Sequence, residues 1–548
     1  MMKKRYHDKN NVLLVNITRL GDMLQATPTI AGIKMENPNC KITVLVEKQF
    51  EEVCHYLPNI DEVVALDLGM TVRALAREQE GIIDAFDYVS EVVEDLRSRK
   101  FDYCLNMSSS AYTALLLKMV GIERNGGWTS DEEGYRIISS DWARLFASSV
   151  FHQNRQYNSL NLVDIFRCSA DVEKHPNQLQ ISLLPDALGY ADNLLSEAKF
   201  TNTGPLIAVQ AGASQQKRQW LPKNFVQFID VMIKEHNARV VMVGTKKEMD
   251  IIQPILDGCN SPNVFCAAGR TSIPQLAALI SRCKLLVTGD TGTMHVSVAA
   301  GTPVVSMFLA SAFGYETGPY GEGHIVIQPR ISCAPCNPNK PCARPDCHDT
   351  FSPITLATIT AMRLQGDIMS LPEGLISESQ AIVYRSAFDE FGFCDLVPLN
   401  STKMSTLEPY RKAYRKLWLD EIGGLMLPTP ARKSSLSIAQ PVEGIEKIVS
   451  AAEDGIKSID ELLHAIKDYS TPANKFNVIN DKLSEIDRHV EDVGFNYPHL
   501  GPLARMFIFA KENLSGTDAV ELASQMRQNY SSLIRRGKKF SEYRAEIG

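Results

Sequence analysis

The sequence predicts an α/β protein made of two doubly wound, Rossmann-like domains, with a mainly helical region behind them. Three observations predict this. From the start to about residue 185, short apolar runs alternate with helical patterns; the same alternation restarts at Leu206; after about residue 370 it gives way to long helical periodicity. Strands that alternate with helices imply βαβ units around a parallel sheet. The expected organisation is a first Rossmann-like domain over 1–185, a second over 200–370, and a mainly helical accessory region over 375–548.

In the first domain the runs VLLVNI, ITVLVE and VVALD are strands, with helices over Ala31 to Lys34 and Val53 to Leu57 between them. A strand over Tyr103 to Met107 and helices around Ala114 to Met119 and Leu160 to Phe166 extend the pattern. A connecting helix from Pro185 to Ala198 leads into the polar linker KFTNTGP. The second domain opens on the strand Leu206 to Gln210 and a helix from Asn224 to His236. The strand VVMVG, a helix from Lys247 to Leu256, a short strand over Val264 to Cys266 and a helix over Ile273 to Ile280 follow. KLLVTGD, a helix from Met294 to Ala300 and PVVSMF complete it. Ligands in open α/β sheets settle outside the carboxyl ends of the strands, so two such domains facing each other place a site in the cleft between them. In the third region, a strand-like AIVY and a polar stretch to about Gln440 precede one helical face. Val442, Ile445, Ile448, Val449, Ala452, Ile456, Ile459, Leu462, Leu463 and Ile466 share that face. Further helices are expected over Ile479 to Val490 and Ala519 to Arg536, the last closed by Gly537.

Composition excludes several function classes. At 548 residues the chain exceeds the roughly 100 to 200 residues of one domain, and 44% hydrophobic with 22% charged residues suits a folded chain. The formal net charge of -7 offers no global basic field, so nucleic acid is not an expected partner. The apolar run from Val12 to Ile17 is too short for a signal-peptide core, and no stretch reaches the roughly 18 apolar residues of a membrane span. A cytoplasmic protein is expected, with peripheral contact at the inner membrane left open. Twelve cysteines without an export signal do not read as a disulfide framework.

Four segments carry candidate chemistry. TRLGDMLQATP, Thr18 to Pro28, places Asp22 where the first strand passes into the first helix; Asp22 is either a helix cap or a cleft-facing carboxylate. VTGDTGTMHVSVAAGTPVV, Val287 to Val305, follows an apolar strand with Asp290, Thr291, Gly292 and Thr293, then enters a helix carrying His295 in its first turn. Free N–H groups and the helix dipole there suit a diphosphate. QAGASQQKRQWLPKNF, Gln210 to Phe225, brings Lys217 and Arg218 just beyond a small-residue turn, as a phosphate-facing or merely solvated pair. VVMVGTKKEMD sets Glu248 after a strand that ends at the same cleft, where a carboxylate accepts from ribose hydroxyls. A fifth segment, CAPCNPNKPCARPDCHD, clusters Cys333, Cys336, Cys342 and Cys347 in the loop 333–347. The two-residue gap in its first pair is a metal-ligand spacing, and a structural metal site is expected, with His348 as a substitute ligand.

Together the GD turn, the GAS turn followed by a basic residue and Trp, the GxxxE after the next strand, and DTGxxH with AxGxP resemble glycosyltransferase family 9, the ADP-heptose:lipopolysaccharide heptosyltransferases. The resemblance covers about residues 10 to 355. It implies a GT-B fold, an ADP-sugar donor held mainly by the second domain, inversion at the anomeric carbon, and a lipopolysaccharide-core or other glycan acceptor. It also implies that Asp22 is the catalytic base, that Thr291, Gly292 and Thr293 hold the diphosphate, that Glu248 contacts the ribose, and that Lys217 or Arg218 is the phosphate-binding cation. Cysteine-rich loops in the family hold iron in some members, so structural zinc and structural iron both stay open. Gln210 stands where the family often has Pro, and FLASAFG replaces the usual Gly-containing turn. A protein acceptor and a non-catalytic sugar-nucleotide-binding descendant are the alternative readings. A dehydrogenase needs a GxGxxG turn that RLGDML lacks. Acceptor docking or oligomerisation is the expected role of residues beyond about 375.

Overall fold

A computed structural model describes residues 9–77, 80–151, 153–400, 406–425, 442–468 and 470–547. The basic head at residues 1–8 and residues 426–441 of the polar stretch near Gln440 lie outside the described residues. Among the described residues fourteen strands follow in chain order: β1 Asn11–Asn16, β2 Lys41–Glu47, β3 Glu62–Leu66, β4 Tyr103–Asn106, β5 Asn125–Ser130, β6 Arg136–Ile138, β7 Leu206–Gln210, β8 Arg239–Val243, β9 Val264–Cys266, β10 Leu285–Gly289, β11 Val304–Met307, β12 Ile325–Pro329, β13 Ala381–Phe388 and β14 Cys394–Pro398. The chain packs as two compact units.

The first unit comprises Met1–Ser108, Met119–Arg124 and Leu160–Thr402, and it holds two α/β lobes. In the first lobe β3, β2, β1 and β4 pair in parallel in that order. Val12 to Val15 of β1 have no exposed surface, because helices cover both faces of a parallel sheet and its strands therefore read as continuous apolar runs. The second lobe has the order β14-β13-β12-β11-β10-β7-β8-β9. Its six parallel strands, counted from β7, follow the order 3-2-1-4-5-6 of a dinucleotide-binding Rossmann sheet. The strand-like AIVY lies in β13, which runs antiparallel to β12 and is followed by antiparallel β14, so this sheet continues to Pro398.

Local chemistry sets the helix ends. Pro222 starts the Pro222–His236 helix, where a missing N–H costs nothing, and Asn237 ends it in the left-handed region at φ 54°. Ser272 and Gln275 form a reciprocal capping box on the Ile273–Ser281 helix. The expected single helix from Lys247 is a tight turn over Lys246–Glu248 that feeds the Met249–Cys259 helix. Trp220, Phe225, Phe228 and Met232 fill the core beneath the second sheet, each worth roughly 1.5–3 kcal/mol of burial.

The second unit joins Ser109–Lys118 and Asn125–Ser159 to Lys403–Gly548. Segments read in the sequence as part of the first domain therefore pack with the helical region. The antiparallel β5–β6 pair places Ile138, whose N–H donates to the Asn513 side chain. Tyr157 meets Tyr410 and Tyr414 at 6.3 Å between ring centroids. The helices of its C-terminal part include Glu408–Glu421, Ile445–Lys467, Ala473–Asn496, Gly501–Glu512 and Ala519–Ile547. The last one corrects an expectation. Gly537 does not close a helix at Arg536; the helix runs through it, and a Cβ there would sit 3.3 Å from Val449 Cγ2. Gly455 does the same work on the Ile445–Lys467 helix, where a Cβ would lie 2.4 Å from the Tyr530 ring. Small residues at these points let the two helices approach closely. The buried stripe accordingly runs through Ile448, Ala451, Ala452, Gly455, Ser458 and Ile459, rotated from the largest apolar residues. Among the described residues no helix is long and apolar enough to cross a membrane.

Candidate active site

In the second lobe the chain leaves β7 in one direction across the sheet and returns to β10 on its other side, making the switch point at which such sheets bind ligands. Immediately after β10 come Asp290 and Thr291, then the Gly292–Ala299 helix. Thr291 is the N-cap residue yet makes no side-chain cap; its hydroxyl meets Thr288 at 3.1 Å instead. The helix start thus has no side-chain cap, an arrangement that favours an anion, with Met294 N turned to Thr291 O at 3.1 Å.

Lys217 and Arg218 lie side by side on the tight turn Gln216–Arg218, and the structure sends them to different places. Lys217 Nζ donates to the carbonyls of Asn337, Pro338 and Lys340 at 2.9, 3.1 and 2.7 Å, which uses all three ammonium donors. Arg218 turns to the switch point. Its Nη1 donates to Asp290 Oδ2 at 3.1 Å and its Nε to Ser311 Oγ at 2.9 Å. Thr317 Oγ1 donates to the other Asp290 oxygen at 3.3 Å.

Glu248 packs against the turn after β7 so tightly that a Cβ on Gly212 would fall 1.9 Å from its Oε1. That contact explains the glycine. Oε2 accepts from the Thr245 N–H at 2.7 Å and its hydroxyl at 3.0 Å, while Oε1 accepts from Gln210 Nε2 at 2.9 Å. Thr293 Oγ1 reaches Gln210 Oε1 at 3.4 Å.

From the first lobe, the Leu20–Gln25 helix brings Gly21 and Asp22 against the Gly292–Ala299 helix. A Cβ on Gly21 would sit 2.9 Å from His295 Cδ2, so the two turns interlock. Asp22 Oδ2 accepts from Thr18 Oγ1 at 2.5 Å. Burial lifts its carboxyl above the ordinary aspartate range; the Thr18 bond and the Arg19 guanidinium oppose the lift, and Asp290 from the second lobe adds to it. His295 is buried, which pushes its pKa down to about 4, so it is a neutral imidazole at pH 7. Its Nδ1 has no hydrogen-bond partner among the described residues.

Cys333 and Cys342 are exposed while Cys347 is buried, and no group of three or more His, Cys, Asp or Glu side chains that could hold a metal ion occurs among the described residues. Hydrogen bonds tie the cysteine-rich loop down: the three from Lys217, Cys336 N to Ala310 O at 3.0 Å, and Trp220 Nε1 to His348 O at 3.0 Å. His348, the substitute ligand, is buried with its Nε2 2.9 Å from the Lys217 carbonyl.

Asp22, Arg218, Asp290, Thr291, Gly292, Thr293 and His295 thus gather at one place with Glu248 alongside, whereas Lys217 turns away to carbonyls of the loop that carries the four cysteines. Sequence reasoning missed Thr18, Ser311 and Thr317 as partners of the charged groups. Thr18 and Ser311 share one signal, a polar residue within a few positions of an apolar strand end, whereas Thr317 ends the short Gly314–Thr317 helix and carries no such signal.

Residues 89–345 match the family model described as glycosyltransferase family 9 (heptosyltransferase). The chain is 24% identical over 292 residues to lipopolysaccharide heptosyltransferase 3 of Escherichia coli, covering 53% of this chain and 81% of that protein. It is likewise 24% identical over 323 residues to lipopolysaccharide core heptosyltransferase OpsX of Haemophilus influenzae, covering 58% and 84%. A solved E. coli ADP-heptose lps heptosyltransferase II aligns with a TM-score of 0.47 and 17% identity over 65% of this chain and 99% of its own. Resting on the family model and the sequence relatives, the conclusion is that the α/β lobes are homologous to glycosyltransferase family 9, and that the chain carries a further C-terminal region beyond that homology.

Proposed function

We propose that the protein is an inverting glycosyltransferase that moves a heptose from ADP-heptose to a hydroxyl of a lipopolysaccharide-core-like acceptor. The observation that carries the reading is the interlock of the Asp22 turn with the uncapped Gly292–Ala299 helix, which sets a carboxylate opposite an anion-binding helix end. A sugar hydroxyl is a poor nucleophile at neutral pH, so a carboxylate within hydrogen-bond reach takes its proton as it attacks the anomeric carbon. Asp22 is that base in this reading, and attack from the face opposite the leaving group inverts the centre. As the glycosidic C–O bond breaks, charge grows on the ADP. The first-turn amides of the helix and the Arg218 guanidinium stabilise it, acting as preorganised dipoles and charge. Arg218, not Lys217, is the phosphate-facing cation, because the donors of Lys217 are already spent on three carbonyls. Glu248 keeps acceptor capacity for the ribose hydroxyls.

The test is turnover of purified protein with ADP-heptose and a truncated lipopolysaccharide core, followed by mass spectrometry of the acceptor. One added heptose, with its anomeric configuration inverted relative to the donor by NMR of the product, and no comparable product from UDP- or GDP-sugars, is the expected result. Equal use of the three nucleotide classes would overturn the donor assignment.

A further inference from the structure

Gln210 is the last residue of β7, the strand beside the switch point, and its side chain is almost fully buried. Its strand lies between β8 and β10: Gln210 is in register with Val243 of β8, and the preceding Val209 with Val287 of β10. The turns that follow those two neighbours carry Glu248 and Thr293. A side chain at 210 is therefore flanked by both halves of the donor site. The amide spans them, with Nε2 donating to Glu248 Oε1 at 2.9 Å and Oε1 accepting from Thr293 Oγ1 at 3.4 Å. Chemistry fixes its sense, because only the NH2 end can face a carboxylate; the reverse orientation would set carbonyl oxygen against Glu248. The surroundings hold it there. A Cβ on Gly244 would lie 3.0 Å from Glu248 Oε2, so the carboxylate packs closely against the backbone at Gly244.

We infer that Gln210 is a positioning residue that locks the ribose-binding carboxylate of Glu248 to the diphosphate turn at Thr293, so that a nucleoside diphosphate is read as one rigid unit. The inference rests on the donor-site reading above. A carboxylate free to rotate must be ordered when the ribose arrives, which costs affinity; one already held by Thr245 on one oxygen and Gln210 on the other is presented in its binding orientation. Gln210 touches neither sugar nor acceptor in this account, so its loss weakens donor binding and leaves the chemical step alone.

Calorimetric titration of ADP into the full chain tests this with Gln210→Met, Glu248→Ala and the double variant. Gln210→Met, close in volume and without either hydrogen bond, should weaken ADP about tenfold, raise the donor KM in step, and leave kcat at saturating donor within about twofold. In the Glu248→Ala background the same change should add almost nothing, since the carboxylate it positions is gone. Gln210→Leu serves the same comparison if the Met variant melts early. Undiminished ADP binding by a folded Gln210 variant, or full additivity with Glu248→Ala, overturns the positioning role while the donor site stands. Should Glu248→Ala itself bind ADP normally, the ribose assignment fails and this inference fails with it.

Discussion

The turn after β1 and the strand ends of the second lobe present opposite designs. The first offers a single carboxylate, Asp22, held by one neighbour four residues away and lifted in pKa by burial. The second offers a mesh in which Arg218, Asp290, Ser311 and Thr317 are tied together, and Gln210, Glu248, Thr245 and Thr293 likewise. A proton acceptor works best with its basicity raised and its lone pairs available; a binding surface works best when every group is fixed before the ligand comes. The contrast teaches that damage on the two sides should be read out differently, as lost turnover on one and lost affinity on the other.

The largest expected effect is on the first side. Asp22→Asn should lower kcat on the order of 100-fold to 10,000-fold while ADP affinity by calorimetry stays unchanged. Near-normal turnover in that variant would remove Asp22 from the role of base and with it the division of labour. Next comes the second side, where Arg218→Lys keeps the charge beside Asp290 but loses the planar fork. ADP binding should weaken about tenfold. Lys217→Met, one residue away, should leave ADP binding nearly untouched and instead lower stability by about 1–2 kcal/mol, through the loop carbonyls it releases. Equal losses of ADP affinity at both positions would contradict the separation of the two cations.

A smaller effect concerns pH. Since burial and Asp290 raise the Asp22 pKa, the base gains its proton at a higher pH than a solvated aspartate does, whose ordinary value is 3.8. The rate should therefore fall, as pH is lowered, along a limb whose midpoint lies above that value. Thr18 donates a bond that favours the carboxylate, so Thr18→Val should move the limb to still higher pH in kcat/KM profiles. A limb unmoved by Thr18→Val would detach it from Asp22.

Much of the candidate site is legible in the sequence. Asp22, Asp290 and the helix behind it stand out because a strand, a glycine turn and a helix start occupy consecutive residues, and the amides at a helix start face a ligand by local geometry alone. Alternation of apolar runs likewise revealed both lobes, since the side-chain period of a strand or helix is a property of neighbouring residues. What the sequence determined by itself was this local order: which segments are strands, and where each turns into a helix.

Everything else depended on residues far apart in the chain. Lys217 and Arg218 are adjacent and chemically alike, yet one faces carbonyls 120 to 123 residues away and the other an aspartate 72 residues away. Gly537 has the signature of a helix end, but a neighbouring helix needs its missing side chain, and the helix continues. The cysteines cluster in sequence, but the hydrogen bonds that tie their loop to Lys217, Ala310 and Trp220 are not visible there. Only the tertiary structure decided these points, for the physical reason that a hydrogen bond or a packing contact is satisfied by whichever group the fold brings near, and a linear pattern does not encode that proximity.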